Sequence, residues 1–200
     1  YEDEGYDWRQ IAKERVFPFL AERLPAMKEA RARLPQCAER TYRRAQDVLG
    51  LDFDVTLVIY VGIVGAGWGS SYGGVRAILF GLEMCAQLGW TSPEALETLT
   101  AHELGHLVHR EWRARAGLEC GEGPFYDLYD EGFGQRCEHL IVGRDVWNER
   151  LDRDEWLAWC TDNKVWLASE YLRTADEGIR PNPFWGVWHN IRGWSRCGYF

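Results

Sequence analysis

Two hundred residues with 46% hydrophobic side chains suffice for one well-filled domain spanning 1–200. A net charge of -8 with no basic stripe excludes nucleic acid and anionic membrane surfaces as natural partners, because phosphates demand clusters of Lys and Arg. No apolar run approaches the ~20 residues that span a bilayer, which excludes a helical membrane anchor within this sequence.

Residues 8–49 read as helical, with Ile11, Val16, Phe19 and Leu20, then Leu24, Met27 and Ala30, recurring at helical spacing. Pro18, Pro25 and Pro35 are expected to break this stretch into short helices, and Gly50 to stop it. This helical part, 1–49, precedes a core of 50–200. Asp54 to Val61 is β-branched and apolar, the pattern of a buried strand. Gly62 to Gly74 holds six glycines but has neither a P-loop Lys-Ser/Thr nor a G-x-G-x-x-G opening a helix, so a flexible loop is expected. Val75 to Leu82 reads as a second strand.

Thr91-Ser92-Pro93-Glu94 is a helix start: Ser92 suits the N-cap, Pro93 the first helical position and Glu94 the positive end of the dipole. The helix is predicted to run to about Ala116, with Gly117 as its cap. A loop over 118–127, a helix over about 129–142 and another over roughly 152–173 follow. Pro181, Pro183, Gly186 and Gly193 make the tail irregular. The eleven tryptophans imply large buried aromatic surfaces or a lined groove, and core packing is the expected use of Trp185, Trp188 and Trp194. Cys37, Cys85, Cys120, Cys137, Cys160 and Cys197 are an even number, which leaves disulfides open, but they form no C-x-x-C pair. Reduced thiols in a cytoplasmic protein are the expectation. No signal peptide is visible; since the sequence starts at Tyr1 rather than Met, an upstream segment and secretion stay open. The oligomeric state is not legible.

The chemistry concentrates in His102-Glu103-Leu104-Gly105-His106. Residues four apart on a helix lie on one face, one turn apart, so both imidazoles can aim at one tetrahedral zinc ion. Glu103, beside the first of them, is placed to take a proton from a water at that ion. With five histidines in 200 residues, a scrambled sequence of this composition would contain the pattern about 0.01 times. A third ligand must come from elsewhere. His109 lies a further turn along, too far for a compact site. Glu131, on a helix returning antiparallel, is the better candidate, with Asp130 and Glu138 as rivals. Gly132 and Gly134 are poor helix formers, which a close approach of another backbone or of the metal site would explain. Gln135, one turn after Glu131, could accept the free ring N–H of a ligating histidine.

Ala-His-Glu-Leu-Gly-His followed by the Glu131-Gly132 helix resembles the gluzincin metallopeptidases. With the late Gly198-Tyr199 it more closely resembles a bacterial family of predicted zinc-dependent proteases whose substrates are unassigned. The resemblance covers roughly 50–200. It implies an α+β, zincin-like fold, a small mixed sheet packed on the H-E-x-x-H helix with additional helices. It also implies a zinc cofactor on His102, His106 and Glu131, Glu103 as general base, and a peptide or protein substrate. Gln135 departs from the carboxylate that well-studied gluzincins often carry one turn after the ligand Glu. Tyr199 and His189 are candidate donors to an oxyanion. The resemblance further implies that the strand at 75–82 pairs with extended substrate. A non-catalytic zinc-binding module and a zinc hydrolase of non-peptide amides are the competing readings.

Overall fold

A computed structural model describes residues 7–63, 65–144, 153–178, 182–185 and 191–200. The architecture is α+β: long helices around a small three-stranded mixed sheet. Helix α1 (Trp8–Ile11), a wide turn over Ala12–Val16 and a tight turn over Phe17–Phe19 lead into α2 (Leu20–Leu49). Pro18 interrupts the chain as expected, but Pro25 and Pro35 lie inside α2 without ending it. Both prolines sit on the exposed face, where water can serve the carbonyls that lose an N–H partner. The opposite face buries Met27, Ala30, Leu34, Cys37, Thr41 and Ala45 at steps of three or four residues, and this packing holds the helix through both prolines. Gly50, in the left-handed region at φ 65°, ends it.

The sheet has the order β1-β3-β2. Strand β1 (Thr56–Tyr60) runs parallel to β3 (Val75–Gly81), with Thr56 opposite Ala77 and Tyr60 opposite Gly81. Strand β2 (Gly67–Tyr72) lies antiparallel on the other side of β3, with Gly67 opposite Phe80 and Tyr72 opposite Val75. The glycine-rich segment expected to be loop thus contains an edge strand. Its hairpin closes through Gly73 and Gly74, both at positive φ (60° and 82°), the requirement of a two-residue turn matched to strand twist.

After α3 (Leu82–Gln87), helix α4 (Pro93–Arg115) begins as its sequence predicts, with the Ser92 Oγ accepting the Ala95 N–H at 3.2 Å. Helix α5 covers Pro124–Val142 and starts five residues before the expected position. Pro124 fills its first turn, and Gly123, at φ 94°, makes the bend into it. Helix α6 (Arg153–Asp176) and the short α7 (Asn182–Trp185) complete the helices among the described residues.

The main core joins α2, the sheet, α4 and α5 through Leu34, Ile78, Phe80, Leu96, Leu104, Val108 and Ile141, so the histidine helix lies between the sheet and its partner helices. A second core gathers Trp156, Cys160, Leu167 and Tyr171 of α6 with Phe184 and Cys197, and Trp159, Trp166, Trp185 and Trp194 pack around it. These tryptophans fill a core, as expected; Trp188 lies outside the described residues. Among the described residues no helix is long and apolar enough to cross a membrane.

Candidate metal centre

Helix α4 divides its polar residues between two neighbours. His102 and His106 face α5, while Glu103, one residue round the helix, faces β2. Two glycines make the α4–α5 crossing this close. A Cβ on Gly105 would lie 2.9 Å from the Gly134 Cα, and one on Gly134 would lie 3.1 and 3.2 Å from the Cε1 atoms of His106 and His102. Gly134 therefore meets the close approach expected of it. Gly132 does not, since a Cβ there would meet nothing within 4 Å.

Three donor atoms converge at this crossing. His102 Nε2 lies 3.1 Å from His106 Nε2 and 3.2 Å from Glu131 Oε2, and His106 Nε2 lies 3.9 Å from the same oxygen. Three atoms each about 2 Å from one tetrahedral zinc would stand roughly 3.3 Å apart, so the triangle has the size such an ion requires. Two imidazole nitrogens and one carboxylate oxygen are also the donors that zinc prefers. No other group of three His, Cys, Asp or Glu side chains converges in this way among the described residues.

Behind the triangle stands a layer of carboxylates. Glu138 Oε2 lies 3.1 Å from His102 Nδ1 and holds that ring with Nε2 toward the centre, and Asp130 Oδ2 lies at ion-pair distance, 3.0 Å, from His106 Nδ1. These two acids were rivals for the ligand position; the fold puts them behind the triangle. His109 is not part of the triangle. It is buried with its Nδ1 against Asp130 and its ring stacked on Phe133, which braces Asp130 in turn. Gln135 does not serve a ligating histidine as expected. Its amide nitrogen donates to Glu138 Oε1 at 3.2 Å and lies 2.9 Å from His139 Nε2, so it supports the support.

The electrostatics follow from this packing. Burial disfavours charge on His102, but hydrogen bonds and charges from Glu131 and Glu138 outweigh it and lift its pKa well above the usual histidine value. For Glu131, burial pushes the carboxyl up, and His102, His106 and the Tyr199 hydroxyl together hold it well below the usual carboxylate range. Asp130, likewise opposed by burial, is drawn down to about 2 by His106 and His109.

Tyr199 packs beside the triangle. Its ring stands 5.7 Å from the His102 ring and 5.2 Å from Trp185. The preceding Gly198 allows this, since a Cβ there would fall 2.5 Å from the Trp185 ring. Burial and the charge of Glu131 keep the Tyr199 hydroxyl protonated far above its ordinary range. His189, the other candidate oxyanion donor, lies outside the described residues.

Glu103 turns toward the sheet, where its Oε2 accepts the Gly69 backbone N–H at 2.5 Å. Arg110, two turns on, donates to the Gly69 carbonyl. The period-two glycines 67 and 69 leave room for this: a Cβ on Gly67 would lie 3.0 Å from Glu103 Oε1, and one on Gly69 would lie 2.6 Å from the Glu103 carbonyl oxygen. The alternation of Gly67 and Gly69 was the available sequence signal for this contact. The expectation that the strand before α4 pairs with substrate is overturned, because β3 is central and both its edges are filled by β1 and β2. The strand edge beside Glu103 is that of β2, and at Gly69 it is already engaged by α4. No protein-family model, curated protein or solved structure matches this chain.

Proposed function

We propose that the protein is a zinc-dependent metallopeptidase in which His102, His106 and Glu131 hold the ion and Glu103 is the general base. The observation that carries this reading is the triangle of His102 Nε2, His106 Nε2 and Glu131 Oε2, with separations of 3.1 to 3.9 Å and a carboxylate behind each imidazole. Bound there, zinc supplies a Lewis acid that acidifies water and polarises a carbonyl.

The chain's own groups do the rest. Glu138 keeps the His102 imidazole oriented, and Asp130 stands beside that of His106. Glu103, adjacent to the ligands yet outside their triangle, takes a proton from water and returns it to the leaving amine. The Gly69 N–H holds one of its oxygens and leaves the other for that transfer. The Tyr199 hydroxyl stays protonated; its single proton goes to Glu131 in the resting site, and turned from that carboxylate to the scissile carbonyl it is the donor for the oxyanion that develops there. A purely structural zinc site needs no base beside it, and the Gly69 contact occupies only one of the two Glu103 oxygens, which favours catalysis over a non-catalytic module.

The test is metal analysis of protein purified without a chelating tag, joined to cleavage assays on a generic peptide mixture and on non-peptide amides, with and without a chelator. Near one equivalent of zinc and chelator-sensitive peptide cleavage are expected. Less than about a tenth of an equivalent after zinc is offered, against the tight binding usual for three protein ligands, overturns the site. Zinc binding with cleavage of non-peptide amides alone overturns the substrate class.

A further inference from the structure

On roughly the opposite side of α4 from His102, the packing leaves a cleft of about 420 Å³. Thr100 and Leu104, buried and one turn apart on α4, form its floor with Ile78 of β3. Leu57 of β1 and the preceding Val55 stand on one wall, and Pro35 and Ala38 of α2 on the other. Protein interiors leave few voids larger than a water molecule, whereas small-molecule sites span roughly 300–1,000 Å³, so this gap has the size of a binding site. Short side chains on α2 keep it open: Ala38 offers only a methyl group, and the Pro35 ring folds back on its own backbone.

The mouth is acidic. Glu39 of α2 and Asp54, before β1, line the cleft and are both exposed. Tyr42, half-buried, lies close to both. Burial first, then the charges of Asp54, Glu39 and the neighbouring Asp52, lift its hydroxyl above the ordinary tyrosine value. That hydroxyl donates to the Phe53 carbonyl at 2.9 Å, which fixes the ring and leaves the hydroxyl oxygen an acceptor. Two of the three acids have cationic partners: Asp52 meets Arg115 at 2.6 Å, and Glu39 meets Arg43 at 2.8 Å. Asp54 forms no ion pair among the described residues.

We propose that this cleft binds a small organic cation, an ammonium group carried on an apolar body. The apolar walls select the body, because a polar ligand would lose its water there without gaining hydrogen bonds. The carboxylates at the mouth repel an anion and attract an ammonium, in a chain whose net charge is already -8. The two demands fit together spatially. The body enters between α2 and β1, and the charged end stays at the rim beside Asp54 and Tyr42, where it keeps much of its hydration. Binding here requires neither turnover nor metal, so its failure leaves the metallopeptidase reading untouched.

The probes are phenethylammonium and 2-phenylethanol, which share a body and differ in charge, titrated by calorimetry into the full-length protein. Phenethylammonium is expected to bind saturably, about 3- to 10-fold tighter than the alcohol, as suits an ion pair at a partly exposed rim. High salt should shrink that ratio. Ala38→Phe, which fills the cleft from α2, should abolish binding of both probes; if it does not fold, Val55→Phe fills the cleft from the other wall. Asp54→Asn together with Glu39→Gln, both at exposed positions, should bring phenethylammonium down to the affinity of the alcohol. Absence of saturable binding in the millimolar range overturns the site. Binding that survives the filled cleft places the ligand elsewhere and overturns it too. Equal affinity of the two probes for the parent protein, or a preference for the ammonium that outlasts loss of both carboxylates, overturns the cationic class.

Discussion

The Gly69 backbone N–H and the Glu103 carboxylate are 2.5 Å apart, a contact that ties the edge of the sheet to the residue beside His102. It depends on the absence of a side chain at 69, where a Cβ would stand 2.6 Å from the Glu103 carbonyl oxygen, a backbone atom that cannot swing aside. Gly69→Ala is therefore expected to push β2 away from α4 at a cost of about 1–3 kcal/mol, typical of overpacking, and to lower the thermal midpoint. Zinc content should be preserved, because all three proposed ligands lie on α4 and α5. A variant as stable as the parent would show that the contact is dispensable.

Glu103→Gln is expected to keep the fold, since its amide oxygen can still accept the Gly69 N–H, and to keep the metal. It removes the base, so turnover should fall by at least the ~10²–10⁴-fold that positioned proton transfer contributes. Wild-type rates in this variant would remove Glu103 from the mechanism. Loss of zinc instead would mean that Glu103 is a ligand.

The two α5 carboxylates that touch His102 are predicted to differ in kind. Glu131 reaches Nε2 at 3.2 Å, on the side where the donors converge, and Glu138 reaches Nδ1 at 3.1 Å from behind. Loss of an orienting partner costs roughly 10–100-fold in metal affinity, and loss of a ligand should exceed that. In competition with a fluorescent chelator, Glu131→Ala should weaken zinc binding far more than Glu138→Ala. The reverse order would exchange their roles.

His102 and His106 were legible because a helix repeats every 3.6 residues and Ser92-Pro93 announces where this one starts; Glu131 was legible as an acid on a returning helix. The layer behind them was not. Whether Asp130, Gln135 or Glu138 meets an imidazole depends on the crossing of α4 and α5, which Gly105 and Gly134 set by close contact, and no local pattern encodes a crossing. Strand β2 was hidden because Gly67-Trp-Gly-Ser-Ser-Tyr72 has none of the β-branched residues that mark a strand; its pairing with β3 and its seat on α4 override that composition. Pro25 and Pro35 misled for a related reason: they signal local breaks, and the buried stripe from Met27 to Ala45 outweighs them.

Glu83 makes stability depend on pH away from the candidate centre. It lies in the first turn of α3 and is fully buried, and burial lifts its carboxyl from 4.5 to about 7 against the pull of backbone N–H groups at Glu83 and Gly62 and the charge of Arg23. The native state therefore holds a proton that the unfolded chain releases earlier. The stability associated with that proton is complete below the unfolded value of 4.5 and is lost as pH rises through about 7. A difference of this size corresponds to roughly 3 kcal/mol. Glu83→Gln cannot ionise and should lack this loss. Urea unfolding of both proteins at about pH 5 and about pH 8 should show the parent losing roughly 2–3 kcal/mol relative to the variant on going to the higher pH. Parallel pH dependences would mean that Glu83 is ionised in the folded protein across this range, with a stronger counter-charge than Arg23 provides.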